Sequence, residues 1–289
     1  MRTYLRPADQ LTLLFLAILG VLALASGRPA GGLLVEYGAL ALLVLCSALY
    51  RKTWPDGPRT LFFSTAATVI AILFVFNSLG TLIDAIHPKR FDSTLIAVDH
   101  SFFGVHPTVW MERFITPART AFLQIAYISY YLMPIALAVT LIVHGRNTEF
   151  EEAWFGIVLC FYLSYIGYLL VPAVGPRFTL DHLQTRSLQA GPFITSIQET
   201  LNGLEKNKTD AFPSGHTAIA LVSLYYAGKT KEKVLFAILF PMVLALIVST
   251  VYLRYHYAID VIAGILLAGV IILFAPSFEE WFSGDSDQS

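Results

Sequence analysis

Charge is scarce in this 289-residue chain: 13% of its residues are Asp, Glu, Lys or Arg, about half the roughly 25% usual in a soluble domain. The 19 Lys and Arg against 20 Asp and Glu leave a net charge of −1, spread along the chain. Nucleic acid is thereby excluded as a partner, because phosphate-backbone binding needs a concentrated basic face. Cysteine is scarcer still. Cys46 and Cys160 both lie inside apolar runs, which excludes a disulfide framework and a thiolate metal site. His87, His100 and His106 lack metal-site spacing, so no metal and no cofactor is expected. Internal repeats and low-complexity tracts are absent.

What the chain has in excess is apolar sequence, 56% of its residues. Eight stretches approach the roughly 18–20 apolar residues that a helix needs to cross a bilayer. They run over residues 11–25, 32–50, 61–83, 121–143, 153–171, 217–227, 234–253 and 258–275, the sixth being the shortest. The first resembles a secretory leader, with Arg2 and Arg6 before it and small residues after it. Because the chain keeps re-entering the membrane, it is read as a retained span. Residues 84–119 differ: Asp92, Asp99, His100, His106, Glu112 and Arg113 interleave with apolar residues, and Pro88, Pro107 and Pro117 break the run. One or two helices lying at the membrane interface suit this pattern.

The fold class is therefore all-α: a polytopic membrane helical bundle of about eight spans plus an interfacial helical segment. Residues 1–58 form an accessory N-terminal pair, 59–277 the main membrane domain, and 278–289 an acidic, frayed tail. Eight spans put both termini on one side. The clusters Arg51, Lys52, Arg59 and Lys229, Lys231, Lys233 share that side and place it in the cytoplasm.

Three segments then emerge together on the opposite, extracytoplasmic face. The fifth span exits through Val-Pro-Ala-Val-Gly-Pro-Arg, ending at Arg177. The sixth is entered through Ala-Phe-Pro-Ser-Gly-His-Thr, residues 211–217, and the last two are joined by Leu-Arg-Tyr-His-Tyr-Ala-Ile-Asp, residues 253–260. Ionisable groups at membrane depth are costly and mark function. His256 and Asp260, four apart, share a helical face, where the carboxylate can accept from one imidazole nitrogen and leave the other as a base or nucleophile. Ser214 and Gly215 open a helix whose free N–H groups cradle an anion, and His216 beside them can donate a proton to a leaving group. Arg177 adds a forked donor suited to phosphate. Singly, each piece reads as an interfacial anchor or a helix start; together they make a metal-free phosphoryl-transfer set. Tyr162, Tyr165 and Tyr168, with Tyr127 and Tyr130, could line a headgroup pocket or simply pack between helices.

At these residues the chain resembles the type 2 phosphatidic acid phosphatase superfamily, whose motifs are K-x6-R-P, P-S-G-H and S-R-x5-H-x3-D. Pro213, Ser214, Gly215 and His216 complete the second motif, and Ser249, His256 and Asp260 keep the third at family spacing. Thr250 stands where the third motif has arginine, while Leu170 and Phe178 replace the lysine and proline of the first. Those losses, the Gly-Pro-Arg177 segment and Asp99-His-Ser-Phe-Phe-Gly104 look more like the inositol phosphorylceramide synthase branch, the inositol phosphotransferase type.

The resemblance implies a six-helix core and a covalent route. His256 attacks phosphorus, Asp260 stabilises the charged ring, and His216 shuttles the proton. Arg177, Ser214 and Gly215 hold the phosphoryl oxygens, with Arg254 as a further phosphate-binding group. The expected substrate is a membrane lipid phosphate. An alcohol acceptor such as inositol makes the enzyme a transferase; water makes it a lipid phosphate phosphatase. A non-catalytic lipid carrier or an inactive scaffold remains an alternative, although neither needs a nucleophilic His paired with Asp.

Overall fold

The computed structural model describes residues 4–54, 57–192, 196, 197, 200, 203 and 207–283. Its long helices are α1 (Pro7–Ala25), α2 (Gly31–Thr53) and α3 (Pro58–Ile86). Two interfacial pieces follow, α4 (Asp92–Phe103) and α5 (Pro107–Trp110), then a 3-10 turn at Met111–Phe114. The next crossing is α6 (Pro117–Ile128) continued by α7 (Met133–Val143), interrupted by a 3-10 turn at Ser129–Leu132 just before Pro134. The chain then forms α8 (Asn147–Leu170), short α9 (Pro176–Thr179), α10 (Gly215–Lys229), α11 (Lys233–Tyr252) and α12 (Ala258–Ser283). No strand occurs among the described residues.

Among the described residues, seven helical stretches are long and apolar enough to cross a membrane, so the chain is a multi-pass, all-α membrane protein. The sixth expected span, α10, has 15 residues. At about 1.5 Å per residue it falls short of the roughly 30 Å hydrocarbon core. Its surroundings explain why it can: of Gly215–Ala227 only Leu221 and Tyr225 are not fully buried, and α7, α8, α11 and α12 all pack on it. A helix walled by protein needs no match to lipid thickness. Helix α8 is the other central element, touching α1, α3, α7, α10 and α12, whereas α2 lies outside against α1 and α3.

The first helix belongs to this common core. Phe15 stacks on Tyr162 with centroids 4.4 Å apart, and the Tyr162 hydroxyl donates to Thr12 Oγ1 at 3.0 Å. At the termini end, Arg6 pairs with Asp9 at 3.3 Å and with Glu151 at 3.6 Å, and Arg51 stands 4.0 Å from Asp9. Gln10 Nε2 donates to the Phe282 carbonyl at 3.0 Å, so the first and last helices meet at this end of the bundle. The last helix also runs past the expected start of the frayed tail, to Ser283, because Phe282 packs on Phe155 and receives the Gln10 bond. The remainder of that tail, 284–289, lies outside the described residues.

The first expected outcome follows from the Arg6 cluster. Asp9 is fully buried and Arg6 nearly so. Asp9→Ala leaves the guanidinium with only Glu151 at 3.6 Å and the Thr65 hydroxyl at 3.3 Å, and should cost roughly 3 kcal/mol of stability. Thermal denaturation in detergent reads this; a midpoint within a degree of the parent would contradict it.

Candidate active site

The alternating helices bring the ends of α3, α8 and α11 and the starts of α6, α10 and α12 to one end of the bundle, opposite the termini. All three motif loops are there. The α8 helix stops at Leu170, and the chain turns through Gly175, whose φ of +87° favours glycine. A Cβ on Gly175 would lie 2.5 Å from the Tyr255 carbonyl oxygen, so the first and third loops are in backbone contact. Arg177, two residues on, sets its guanidinium 4.8 Å from the Phe178 ring and 5.2 Å from that of Tyr255. The residue that replaces the motif proline thus gives the arginine an aromatic support.

The second loop is tied to the first by Ala211 N–H donating to the Ala173 carbonyl at 3.1 Å. Ser214 is the N-cap of α10: its Oγ accepts from Thr217 N at 3.4 Å and donates to Thr217 Oγ1 at 3.0 Å. His216 sits between Tyr127 and Tyr130, with centroids 4.6 and 4.3 Å away, and 5.8 Å from the His256 ring. Its Nε2 is buried with no hydrogen-bond partner among the described residues.

The third loop ends α11 with Arg254 in the left-handed conformation, φ +67°. Both Tyr255 N–H and His256 N–H donate to the Thr250 carbonyl at 3.0 Å, a helix stop that reverses the chain. His256 Nδ1 lies 2.7 Å from the Ala211 carbonyl oxygen, and a carbonyl can only accept, so Nδ1 carries a proton. Here the geometry departs from the simple His–Asp hydrogen bond. Asp260 Oδ2 is 3.6 Å from Nδ1, an ion-pair distance, because it accepts the Tyr257 N–H at 2.8 Å. The Asp260 main-chain carbonyl accepts Ser214 N–H at 2.9 Å, joining the second and third loops.

These loops form a small open cleft whose lining includes Arg177, Lys208, Asp210, Arg254, Tyr255 and His256. Of the residues singled out by sequence, Arg177, Arg254 and His256 face this cleft. Ser214, Gly215, His216 and Asp260 lie behind it; Tyr127 links the layers, lining the cleft while stacking on His216. Leu170, at the motif-lysine position, is exposed on the outside of the bundle, and Thr250, at the motif-arginine position, is fully buried. Asn207, the first residue of an Asn-Lys-Thr sequon, is only 1% exposed, and its Oδ1 accepts from Thr209 N and Oγ1.

Several site residues escape a reading by motif alone. Lys208 adds a cation to the cleft. Three carboxylates of the interfacial segment reach the loops. Asp92 accepts from Val174 N and Gly175 N at 3.0 and 2.9 Å and from the Tyr257 hydroxyl at 2.9 Å. Asp99 accepts from Ala258 N and Ile259 N at 2.9 and 2.8 Å. Glu112 accepts from Thr185 N and Oγ1 at 3.0 and 2.9 Å and pairs with Arg254 at 2.7 Å. Burial works to raise the Glu112 pKa, but the Thr185 and Arg186 donors and the Arg254 charge outweigh it and hold it below the ordinary value. Burial lifts the Asp99 pKa, and the two N–H donors and nearby His106 only partly oppose it.

Comparison with known proteins identifies the family. Residues 93–274 match the PAP2 superfamily, and the chain belongs to it. A PA-phosphatase related-family protein of Dictyostelium discoideum is 25% identical over 186 residues, covering 56% of this chain and 33% of the relative. The phosphoinositol dihydroceramide synthase of Bacteroides thetaiotaomicron is 28% identical over 193 residues, covering 61% of this chain and 59% of that protein. The chain thus aligns with a third to about three fifths of these relatives' lengths. No solved structure gives a significant match.

Close helix approach behind His256 generates the second expected outcome. A Cβ on Gly264 of α12 would stand 2.5 Å from the Ser214 carbonyl oxygen, a backbone atom that cannot swing aside. Gly264→Ala should destabilise by about 1–3 kcal/mol through overpacking. Equilibrium or thermal unfolding checks it, and an unchanged transition would show that α10 and α12 separate freely.

Proposed function

We propose that this protein is an integral membrane lipid phosphotransferase that moves a phosphoryl-containing headgroup, phosphoinositol in the leading reading, through a phosphohistidine on His256. The observation that carries the reading is the tautomer: His256 Nδ1 is committed to the Ala211 carbonyl, so the Nε2 lone pair is the nucleophile. In the first half-reaction Nε2 forms a bond to phosphorus as the bond to the leaving oxygen breaks. His216 gives that oxygen its proton, and the charge on the phosphorylated ring is balanced by Asp260 at 3.6 Å. In the second, His216 accepts the proton of the incoming hydroxyl, whose oxygen displaces Nε2 from phosphorus.

Charge on the transferring group is held by Arg177, Arg254 and Lys208, with Ser214 and the Gly215 amide completing the cradle from behind. Lys208 supplies from the long loop the positive charge that the first motif lacks at Leu170. Support for an alcohol acceptor comes from the motif departures and from the relative named for phosphoinositol transfer. Hydrolysis to free phosphate is the second reading, favoured by the phosphatase-named relative. The basic clusters at the termini end support an extracytoplasmic position for the cleft.

The deciding assay incubates detergent-purified protein with phosphatidylinositol, and separately with lipid phosphates, each with and without a ceramide as the lipid alcohol acceptor, and follows products by mass spectrometry. Phosphoinositol carried on the added acceptor, with release of diacylglycerol, is expected. Phosphate release from lipid phosphates unaffected by the acceptor would make the protein a phosphatase, and inertness on every lipid would overturn the reading. Arg177→Ala should lower turnover by about 100-fold or more, the effect of removing one preorganised donor. A loss under about threefold would remove Arg177 from the phosphate site.

A further inference from the structure

We propose that Asp92, Asp99 and Glu112 are positioning residues, and that the interfacial segment carrying them is the jig that sets the three motif loops against one another. The proposal rests on the reading of the cleft as a phosphotransfer site. Each carboxylate serves a different stretch of loop backbone, 73 to 160 positions away in sequence. Asp92 takes the two N–H groups that precede the Arg177 turn, and its Oδ1 also receives the Tyr257 hydroxyl, beside His256. Asp99 takes the first free N–H groups of α12, the helix whose first turn bears Asp260. Glu112 takes Thr185 and Arg186 N–H in the long loop and holds Arg254 Nη2.

The chemistry explains why carboxylates stand here. A helix start and two irregular turns leave N–H donors that no neighbouring backbone meets, and a carboxylate offers two oxygens that accept several at once. All three are nearly buried, at 6%, 2% and 7% exposure, so their charges are spent on the loops and not on solvent. Asp92 and Asp99 are seven apart, two helical turns, and so share one face of α4. Phe102 and Phe103 of α4 are exposed, with Trp110 and Phe114 just beyond it, as suits a segment lying in the interface. Asp99 has a second effect. By filling the anion site at the start of α12, it leaves the transferring phosphate to the cations on the cleft side.

The test uses full-length protein in detergent, with Asp92→Asn, Asp99→Asn and Glu112→Gln, and with Asp9→Asn as a buried carboxylate at the far end. Amide hydrogen exchange reads the loops and steady-state kinetics on the lipid substrate reads their alignment. Each variant should speed exchange chiefly in its own partner, residues 174–175, 258–259 or 185–186. Turnover of folded protein should fall by about 10- to 100-fold, the effect of a misplacement near 1 Å. For Asp99→Asn the loss should lie in kcat with KM within about threefold, whereas Glu112→Gln, which loosens Arg254, should raise KM as well. Asp9→Asn should lower thermal stability while folded protein keeps its kcat.

Should a variant not accumulate, its partner of unchanged charge (Asp92→Glu, Asp99→Glu or Glu112→Asp) moves the carboxylate by one methylene and carries the same readouts. Unchanged loop exchange in all three overturns the proposal. Faster exchange with kcat within twofold overturns it too, since the carboxylates would then be structural only. Absence of any turnover in the parent protein, with the exchange pattern as expected, places the failure in the assigned reaction and leaves the loop contacts standing.

Discussion

The candidate site residues sit in loops and first helical turns at one end of an apolar bundle, where an unsatisfied N–H costs several kcal/mol. The structure meets that constraint with long-range hydrogen bonds between the loops themselves. Ala211 N–H reaches Ala173, His256 reaches Ala211, Ser214 N–H reaches Asp260, and Phe91 N–H reaches Pro172. Carboxylates from the interfacial segment take up donors that remain. Backbone satisfaction and catalytic geometry are therefore one problem. The carbonyl that accepts from His256 belongs to the residue that ties the second loop to the first.

Much of this was legible from sequence because membrane helices and motif spacing are local signals. Span lengths follow from runs of apolar residues, and the three loops fall together once the crossings alternate. The Ser214 N-cap and the four-residue step from His256 to Asp260 are likewise local. Less legible were contacts that depend on how separate loops dock. Asp92, Asp99 and Glu112 read only as polar residues interleaved in a broken segment, since their partners lie far along the chain. The Ala211 carbonyl carries no side-chain signature at all, so the histidine's tautomer could be ascribed only to Asp260. Lys208 stood in a long polar stretch with nothing to single it out. Tyr127 and Tyr130 were visible as aromatic residues on a span, but their stacking on His216 required the packed bundle.

The departures from the family motifs acquire a physical meaning in this setting. Thr250 is buried within the end of α11, where its carbonyl shapes the turn, and the arginine that reaches the cleft is Arg254, four residues later. That arginine is paired with Glu112, which fixes its direction at the cleft. Phe178, in place of proline, supports Arg177 from one side while Tyr255 supports it from the other. Cationic character is thus redistributed to groups whose directions the loops set.

The central claim is that His256 Nε2 bonds to phosphorus, and trapping that bond tests it most directly. Protein mixed with its lipid substrate, quenched in alkali within the first turnover and digested for mass spectrometry, should carry a phosphoryl group on the peptide containing His256, bare or with its headgroup alcohol. The adduct should be acid-labile and absent from His256→Ala. A label on another residue, or product formed in the first turnover with His256 unmodified throughout, would contradict the account.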